Sequence, residues 1–205
     1  MVLARKTAFK KVFSFSRWWL VFLLPLIPLG LIFWDGFNDN LGADPGKYIV
    51  DELGTWALNM LWITLAISPT RFMFNWRQPL RYRRMLGLYA LFYAVLHLLA
   101  FATFLVGWRG DLLLRELTQR PYIIVGFAAL LLLLPLGVTS TQGGKRRLGR
   151  NWKRLHQLIY PISLLVMLHF IWQIRASFKE QLIYGLILAW MLGYRLYQKR
   201  KSNMT

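Results

Sequence analysis

The chain has no cysteine, only eight acidic residues, and long stretches without any charge. Without cysteine there is no disulfide, no thiolate-held zinc or iron–sulfur cluster and no cysteine nucleophile. Any metal must therefore be held by histidine, methionine or oxygen. Against the eight Asp and Glu stand 26 Lys and Arg, a net charge of +18 on 205 residues. Such a surplus usually marks a nucleic-acid binder, but those proteins spread their cations along an exposed polar face. Here 57% of the residues are hydrophobic and 16% aromatic, which does not fit an ordinary soluble domain, and nucleic acid is excluded as a partner.

Six segments lack Asp, Glu, Lys and Arg: Trp18–Trp34, Leu53–Thr70, Met85–Trp108, Pro121–Gly144, Leu155–Ile174 and Gln181–Tyr194. At about 1.5 Å per residue, a run near twenty residues crosses a hydrocarbon core of about 30 Å. The sequence therefore predicts an all-α polytopic membrane protein with six transmembrane helices. The last run is short, and Arg195 just beyond it is expected to snorkel toward the headgroups so that the helix continues to Tyr197. The segments joining the runs alternate in charge. One set carries 20 Lys and Arg and no acid; the other carries six, together with all eight acidic residues. Positive residues near span ends stay on the cytoplasmic side, which predicts both termini in the cytoplasm and the acid-containing segments outside. Trp18, Trp19, Trp34, Trp76, Trp108, Trp152 and Trp172 lie at or near span ends, as an interfacial belt requires. The first run ends in Phe33-Trp34-Asp35 without a small-residue cleavage site and reads as a span, not a leader. No internal repeat or second domain is visible. Residues 1–17 read as a basic N-terminus, 18–197 as the membrane domain and 198–205 as a basic tail.

No carboxylate lies within a span, which disfavours proton-coupled transport and ion pumping. The strong ligands are three histidines, His97, His156 and His169. His97 lies 13 residues beyond Arg84 on the third span and His169 lies 15 beyond Arg154 on the fifth, and these spans run in the same direction. Both imidazoles are thus expected roughly 20 Å from the inner boundary and level to within about 3 Å. Two neutral imidazoles at one depth on two helices suit axial ligation of a haem, one from each side. The competing explanation is that each histidine bridges helices as a polar hydrogen-bonding residue. Ala94 and Ala100 leave room for a macrocycle near His97, and Tyr93, Phe101 and Phe104 are candidates to pack on it. His156 sits near the inner surface, roughly 20 Å below His169. It leaves open a second haem, with Met85 the one soft ligand at about the right depth, or a contact to a quinone, a flavin or a haem propionate.

These residues carry a resemblance. Leu41-Gly42-Ala43-Asp44-Pro45, Thr64-Leu65-Ala66-Ile67-Ser68-Pro69, Arg84 through Leu88 with Leu96-His97-Leu98, Arg120-Pro121-Tyr122, Thr139-Ser140-Thr141-Gln142, and Leu148 through Trp152 with Leu155-His156 and Tyr160 are similar, in order, to segments of the MsrQ family, and His169 lies downstream. That family falls within the ferric-reductase-like transmembrane superfamily. The resemblance implies a haem b subunit of the bacterial inner membrane with His97 and His169 as axial ligands. It also implies a periplasmic molybdopterin partner, MsrP, that reduces methionine sulfoxide in proteins, and FMN, with electrons from the quinone pool or a cytosolic flavin reductase. No Gly-rich nucleotide turn between strand and helix is present, so the flavin rests on the resemblance alone. The superfamily's larger members place two histidines on each of two helices, whereas this chain has one and two.

The reading is of a one-electron carrier, since two imidazoles leave the iron no open position. Arg109, Arg115 and Arg120 outside and Arg147, Arg150 and Arg154 inside are candidates to pair with haem propionates, although topology alone accounts for the inner three. Asp35, Asp39, Asp44, Asp51 and Glu52 form a candidate docking surface for the acceptor, or a simply solvated loop. A self-sufficient ferric or quinone reductase shares all these features. A haem-free transporter or scaffold, with histidines that only bridge helices, is the alternative from another class.

Overall fold

The computed structural model of the chain describes residues 18–76, 78–173 and 178–204; the expected basic N-terminus, Arg77 and Arg175 lie outside the described residues. Those residues form helices and turns without a strand. We number the helices α1 (Trp18–Phe37), α2 (Pro45–Phe74), α3 (Arg83–Leu105, whose last turn Phe101–Leu105 is a π-helix) and α4 (Gly110–Gln119). They continue as α5 (Pro121–Val138), α6 (Gln142–Leu148), α7 (Arg150–His156), α8 (Ile159–Trp172) and α9 (Lys179–Met204).

Among the described residues four helical stretches are long and apolar enough to cross a membrane: Trp18–Phe37, Arg83–Leu105, Pro121–Val138 and Arg150–Trp172. The other two expected spans fold as α2 and α9 but are less apolar. The reason lies in where their polar groups go. The Tyr184 hydroxyl of α9 donates to Asn59 Oδ1 of α2 at 2.7 Å, and Trp62 Nε1 of α2 donates to the Tyr184 carbonyl at 3.1 Å. Thr64 Oγ1 returns to the Met60 carbonyl at 2.8 Å. Polar groups that satisfy one another between helices can be tolerated out of water. α2 also has the most buried positions of any helix, among them Leu53, Leu58, Leu61 and Leu65, so it contacts neighbours where α1 presents Leu20, Leu31 and Phe33 outward.

Contacts fix the helix directions. Val50 near the start of α2 meets His97 near the end of α3, and Tyr122 at the start of α5 meets His169 near the end of α8. The far end of α5 closes on α7, where Trp152 Nε1 donates to the Thr139 carbonyl at 3.0 Å. α9 runs antiparallel to α8, with Tyr184 against Phe170 at one end and Arg195 over Tyr160 at the other. Asp35, Asp51, Asp111 and Glu180 thus gather at one end of the bundle, which we call the acidic end, and Arg83, Lys145 and Arg195 lie at the opposite, basic end.

Prolines shape α1. Pro25 and Pro28 lack the N–H that continues a helical ladder, and the turn Leu24–Leu26 tightens to a 3-10 helix. The carbonyls of Phe22 and Pro25 there accept from Tyr89 (2.7 Å) and Tyr93 (2.5 Å) of α3. Tyr93 therefore faces α1 and is fully buried there, not packed beside a cofactor as the sequence suggested. At the acidic end, Asp44 caps α2 through the Lys47 N–H at 3.0 Å. The Tyr48 hydroxyl donates to Asp35 at 3.0 Å, and that bond to a carboxylate raises the phenol above its usual pKa. α4, an amphipathic helix within the segment that joins the third and fourth uncharged runs, also lies at this end.

Candidate haem-binding site

His97 and His169 face each other across α3 and α8, with ring centres 6.3 Å apart and ring planes at 82°. The depth match read from the sequence is thus met in space. Each ring is held from behind. His97 Nδ1 lies 2.8 Å from the Val50 carbonyl and His169 Nδ1 lies 2.6 Å from the Tyr122 carbonyl. A carbonyl can only accept, so Nδ1 of each ring carries the proton and Nε2 keeps its lone pair. Gln173 confirms the polarity at His169, where its amide Nε2 lies 3.0 Å from the imidazole Nε2 and can donate to it. Metal-ligating histidines use this tautomer, with Nδ1 anchored to the protein and the lone pair on Nε2; at His169 that lone pair is engaged by Gln173.

The spacing can be tested against a metal. A metal–imidazole bond of about 2.0 Å plus roughly 1.1 Å from nitrogen to ring centre places two opposed ligands with ring centres about 6 Å apart. The observed 6.3 Å meets that requirement. Small residues make the rings' positions possible. A methyl group at Gly54 would lie 2.9 Å from His97 Nδ1 and Cε1, and one at Gly126 would lie 2.6 Å from the same atoms of His169. Among the described residues no group of three or more His, Asp or Glu is arranged to hold a metal ion.

The two halves of the site repeat, which the sequence reading missed. His97 and His169, Val50 and Tyr122, and Gly54 and Gly126 are each 72 residues apart. Both carbonyl–histidine bonds span 47 residues. The α2–α3 and α5–α8 hairpins thus present one imidazole each in the same way. Identity between them is confined to a few positions, and the signal that could have found them is the shared spacing of glycine and histidine.

The same offset places Arg84 where the second hairpin has His156. His156 is occupied otherwise. Its ring stacks on Trp152 with centres 4.1 Å apart, and its Nε2 lies 3.2 Å from the Thr139 hydroxyl. No second imidazole is opposite it, and Met85 packs against the hydrophobic core. The Arg195 guanidinium enters the bundle, where Nη2 donates to the Leu65 carbonyl at 2.5 Å.

Of the outer arginines, Arg109 pairs with Asp111 at 2.7 Å and holds that carboxyl below its usual pKa, and Arg115 donates to Gln119. Arg120 alone of the three reaches the site's surroundings, bonding Tyr122 at 3.2 Å and Glu116 at 2.9 Å. Arg147, Arg150 and Arg154 are exposed at the basic end. The expected acidic docking surface is partly committed to structure: Asp35 holds Tyr48, Asp44 caps α2 and Asp51 pairs with Lys47.

Comparison with known proteins identifies the family. Residues 50–167 match the family described as ferric reductase like transmembrane component. The chain is 49% identical over 186 residues to the protein-methionine-sulfoxide reductase heme-binding subunit MsrQ of Xanthomonas axonopodis pv. citri, covering 89% of this chain and 85% of that one. It is 50% identical over the same length and coverage to MsrQ of Xanthomonas euvesicatoria pv. vesicatoria. To MsrQ of Bordetella pertussis it is 41% identical over 179 residues, covering 86% and 87%. No solved structure matches the chain.

Proposed function

Because the chain belongs to the MsrQ family of heme-binding subunits, with a ferric-reductase-like transmembrane component at residues 50–167, we propose that it is the haem b electron-transfer subunit of a protein-methionine-sulfoxide reductase system. In this reading it crosses the bacterial inner membrane six times with both termini cytoplasmic. Electrons enter at the basic end from the quinone pool or a cytosolic flavin reductase and leave at the acidic end to MsrP, the periplasmic subunit that reduces methionine sulfoxide.

The observation that carries the proposal is the opposed His97–His169 pair, spaced for one metal centre and anchored by two backbone carbonyls. Haem b bound there would supply a one-electron couple. The chain's own residues do the positioning. Val50 and Tyr122 fix the tautomer of each ring and leave the lone pair on Nε2, while Gly54 and Gly126 let α2 and α5 approach the ring backs. His97 and His169 would together hold such a haem and leave no place on it for substrate, so chemistry on methionine sulfoxide would belong to the partner. The position of the pair near the acidic ends of α3 and α8 favours transfer to an acceptor docked there. His156, stacked and hydrogen-bonded and facing an arginine in the repeat, supports one haem and not two.

The test is electron delivery. Purified protein with its haem reduced should be reoxidised rapidly by MsrP in the presence of a methionine sulfoxide substrate, and slowly by substrate alone. Reoxidation by ferric iron or quinone that is unaffected by MsrP would overturn the proposal in favour of a self-sufficient reductase.

A further inference from the structure

The basic end of the bundle contains buried cationic groups without a counter-charge. Arg195 of α9 directs its guanidinium between α2 and α8, with Nη2 on the Leu65 carbonyl and its central carbon 5.2 Å from the Tyr160 ring centre. Its Nε and Nη1 are buried and have no hydrogen-bond partner among the described residues. Arg83, half-buried at the start of α3, is close enough to act electrostatically on both Arg195 and His156. A cation–π contact offsets part of the cost of burying a guanidinium, but two neighbouring arginines still repel each other in a poorly solvated place.

The chain has no acidic side chain to neutralise them. All eight Asp and Glu fall at positions 35–52, 111–116 and 180, which are at the acidic end or in its connections. The missing charge must come from another molecule. Tyr160 lies nine residues before His169, roughly 13 Å along α8, so Arg195 serves a region below the histidine pair and not the pair itself. At this depth, near the membrane boundary, the oxyanion on offer is a phosphate. Arginine suits it through several charge-assisted hydrogen bonds, and basic pockets between helices on the cytoplasmic side commonly hold lipid phosphates.

We propose that Arg195 and Arg83 form a phosphate-binding site at the basic end of the bundle, between α2, α3, α8 and α9. The ligand is a phosphate ester, supplied either by the headgroup of an anionic phospholipid or by a soluble phosphorylated molecule. This site does not depend on the haem reading, and its failure would leave that reading intact.

The experiment uses the full haem-loaded chain in detergent, stripped of lipid. Phosphatidylglycerol, phosphatidylethanolamine and inorganic phosphate are titrated separately, with binding read by native mass spectrometry and by the shift in thermal unfolding. We expect one tightly held phosphate-bearing adduct in the wild type, with affinity falling about tenfold or more in Arg195→Gln and less in Arg195→Lys. Arg200→Gln, at an exposed position on the same helix, should bind as the wild type does. Saturation by phosphatidylglycerol alone assigns the site to lipid; saturation by inorganic phosphate assigns it to a soluble phosphate. Should Arg195→Gln fail to fold, Arg83→Gln must show the same loss. Equal affinities in wild type and both arginine variants, or an equal loss in Arg200→Gln, would overturn the proposal, because the basic end would then be a diffuse surface.

Discussion

Adding one methyl group at Gly126 should disable the site more than adding one at Gly54. An ordinary van der Waals contact begins at 3.4 Å; a Cβ at Gly126 would stand 2.6 Å from His169 Nδ1 and Cε1, and one at Gly54 would stand 2.9 Å from the same atoms of His97. The overlap is thus about 0.8 Å against about 0.5 Å. The His169 ring cannot retreat freely, because its Nδ1 is tied to the Tyr122 carbonyl at 2.6 Å on the same helix as Gly126. Overpacking of this kind costs about 1–3 kcal/mol, which is roughly five- to 150-fold in a binding constant. Titrating haem into apo-protein should therefore show weakened binding in Gly126→Ala, a smaller loss in Gly54→Ala, and none in Gly193→Ala, where a methyl group meets open space. Wild-type haem affinity in both Gly126→Ala and Gly54→Ala would refute the claim that these glycines seat the ligand rings.

Three further predictions follow from particular contacts. His156→Ala should leave haem stoichiometry unchanged by pyridine haemochrome assay, since that ring is engaged by Trp152 and Thr139; loss of half the haem would restore a second site. Tyr184→Phe removes the hydroxyl that satisfies Asn59 and should lower stability by about 0.6–2 kcal/mol in detergent unfolding, with the haem spectrum kept. The absence of native cysteine makes topology directly readable. A thiol introduced as Asp39→Cys should react with an impermeant maleimide from the periplasmic side, and Lys199→Cys only after the membrane is opened; the reverse pattern would invert the proposed orientation.

Much of the bundle was legible because charge is excluded from lipid, and a run without Asp, Glu, Lys or Arg is a direct record of that exclusion. The starts of α3 and α5 fell within two residues of the first uncharged positions, Met85 and Pro121. What apolarity could not show was which helix is central. α2 mixes Asn59, Trp62 and Thr64 into its run because protein, not lipid, receives them: Asn59 and Trp62 bond to Tyr184 of α9, and Thr64 to the Met60 carbonyl of α2 itself. The histidine pair was readable from depth, since two residues on parallel helices at equal distance from one boundary must lie level. The atoms that make the pair a ligand set were not readable in that way. Val50 and Tyr122 act through backbone carbonyls, to which side-chain identity is blind, and Gly54 and Gly126 act by the absence of a side chain. Arg195 was legible only in part: the charge pattern gives its place near the boundary, but not the Leu65 carbonyl and the Tyr160 ring that hold its guanidinium.

The central claim is that one haem is held between His97 and His169. Electron paramagnetic resonance of the oxidised protein tests it most directly, because the two ring planes stand at 82°. Near-perpendicular imidazoles on a ferric haem give a highly anisotropic low-spin signal, distinct from the rhombic signal of parallel rings. The account predicts that signal in the wild type and its loss in both His97→Ala and His169→Ala. A low-spin signal that survives unchanged in either variant, or a wild-type haem that is high-spin, would contradict it.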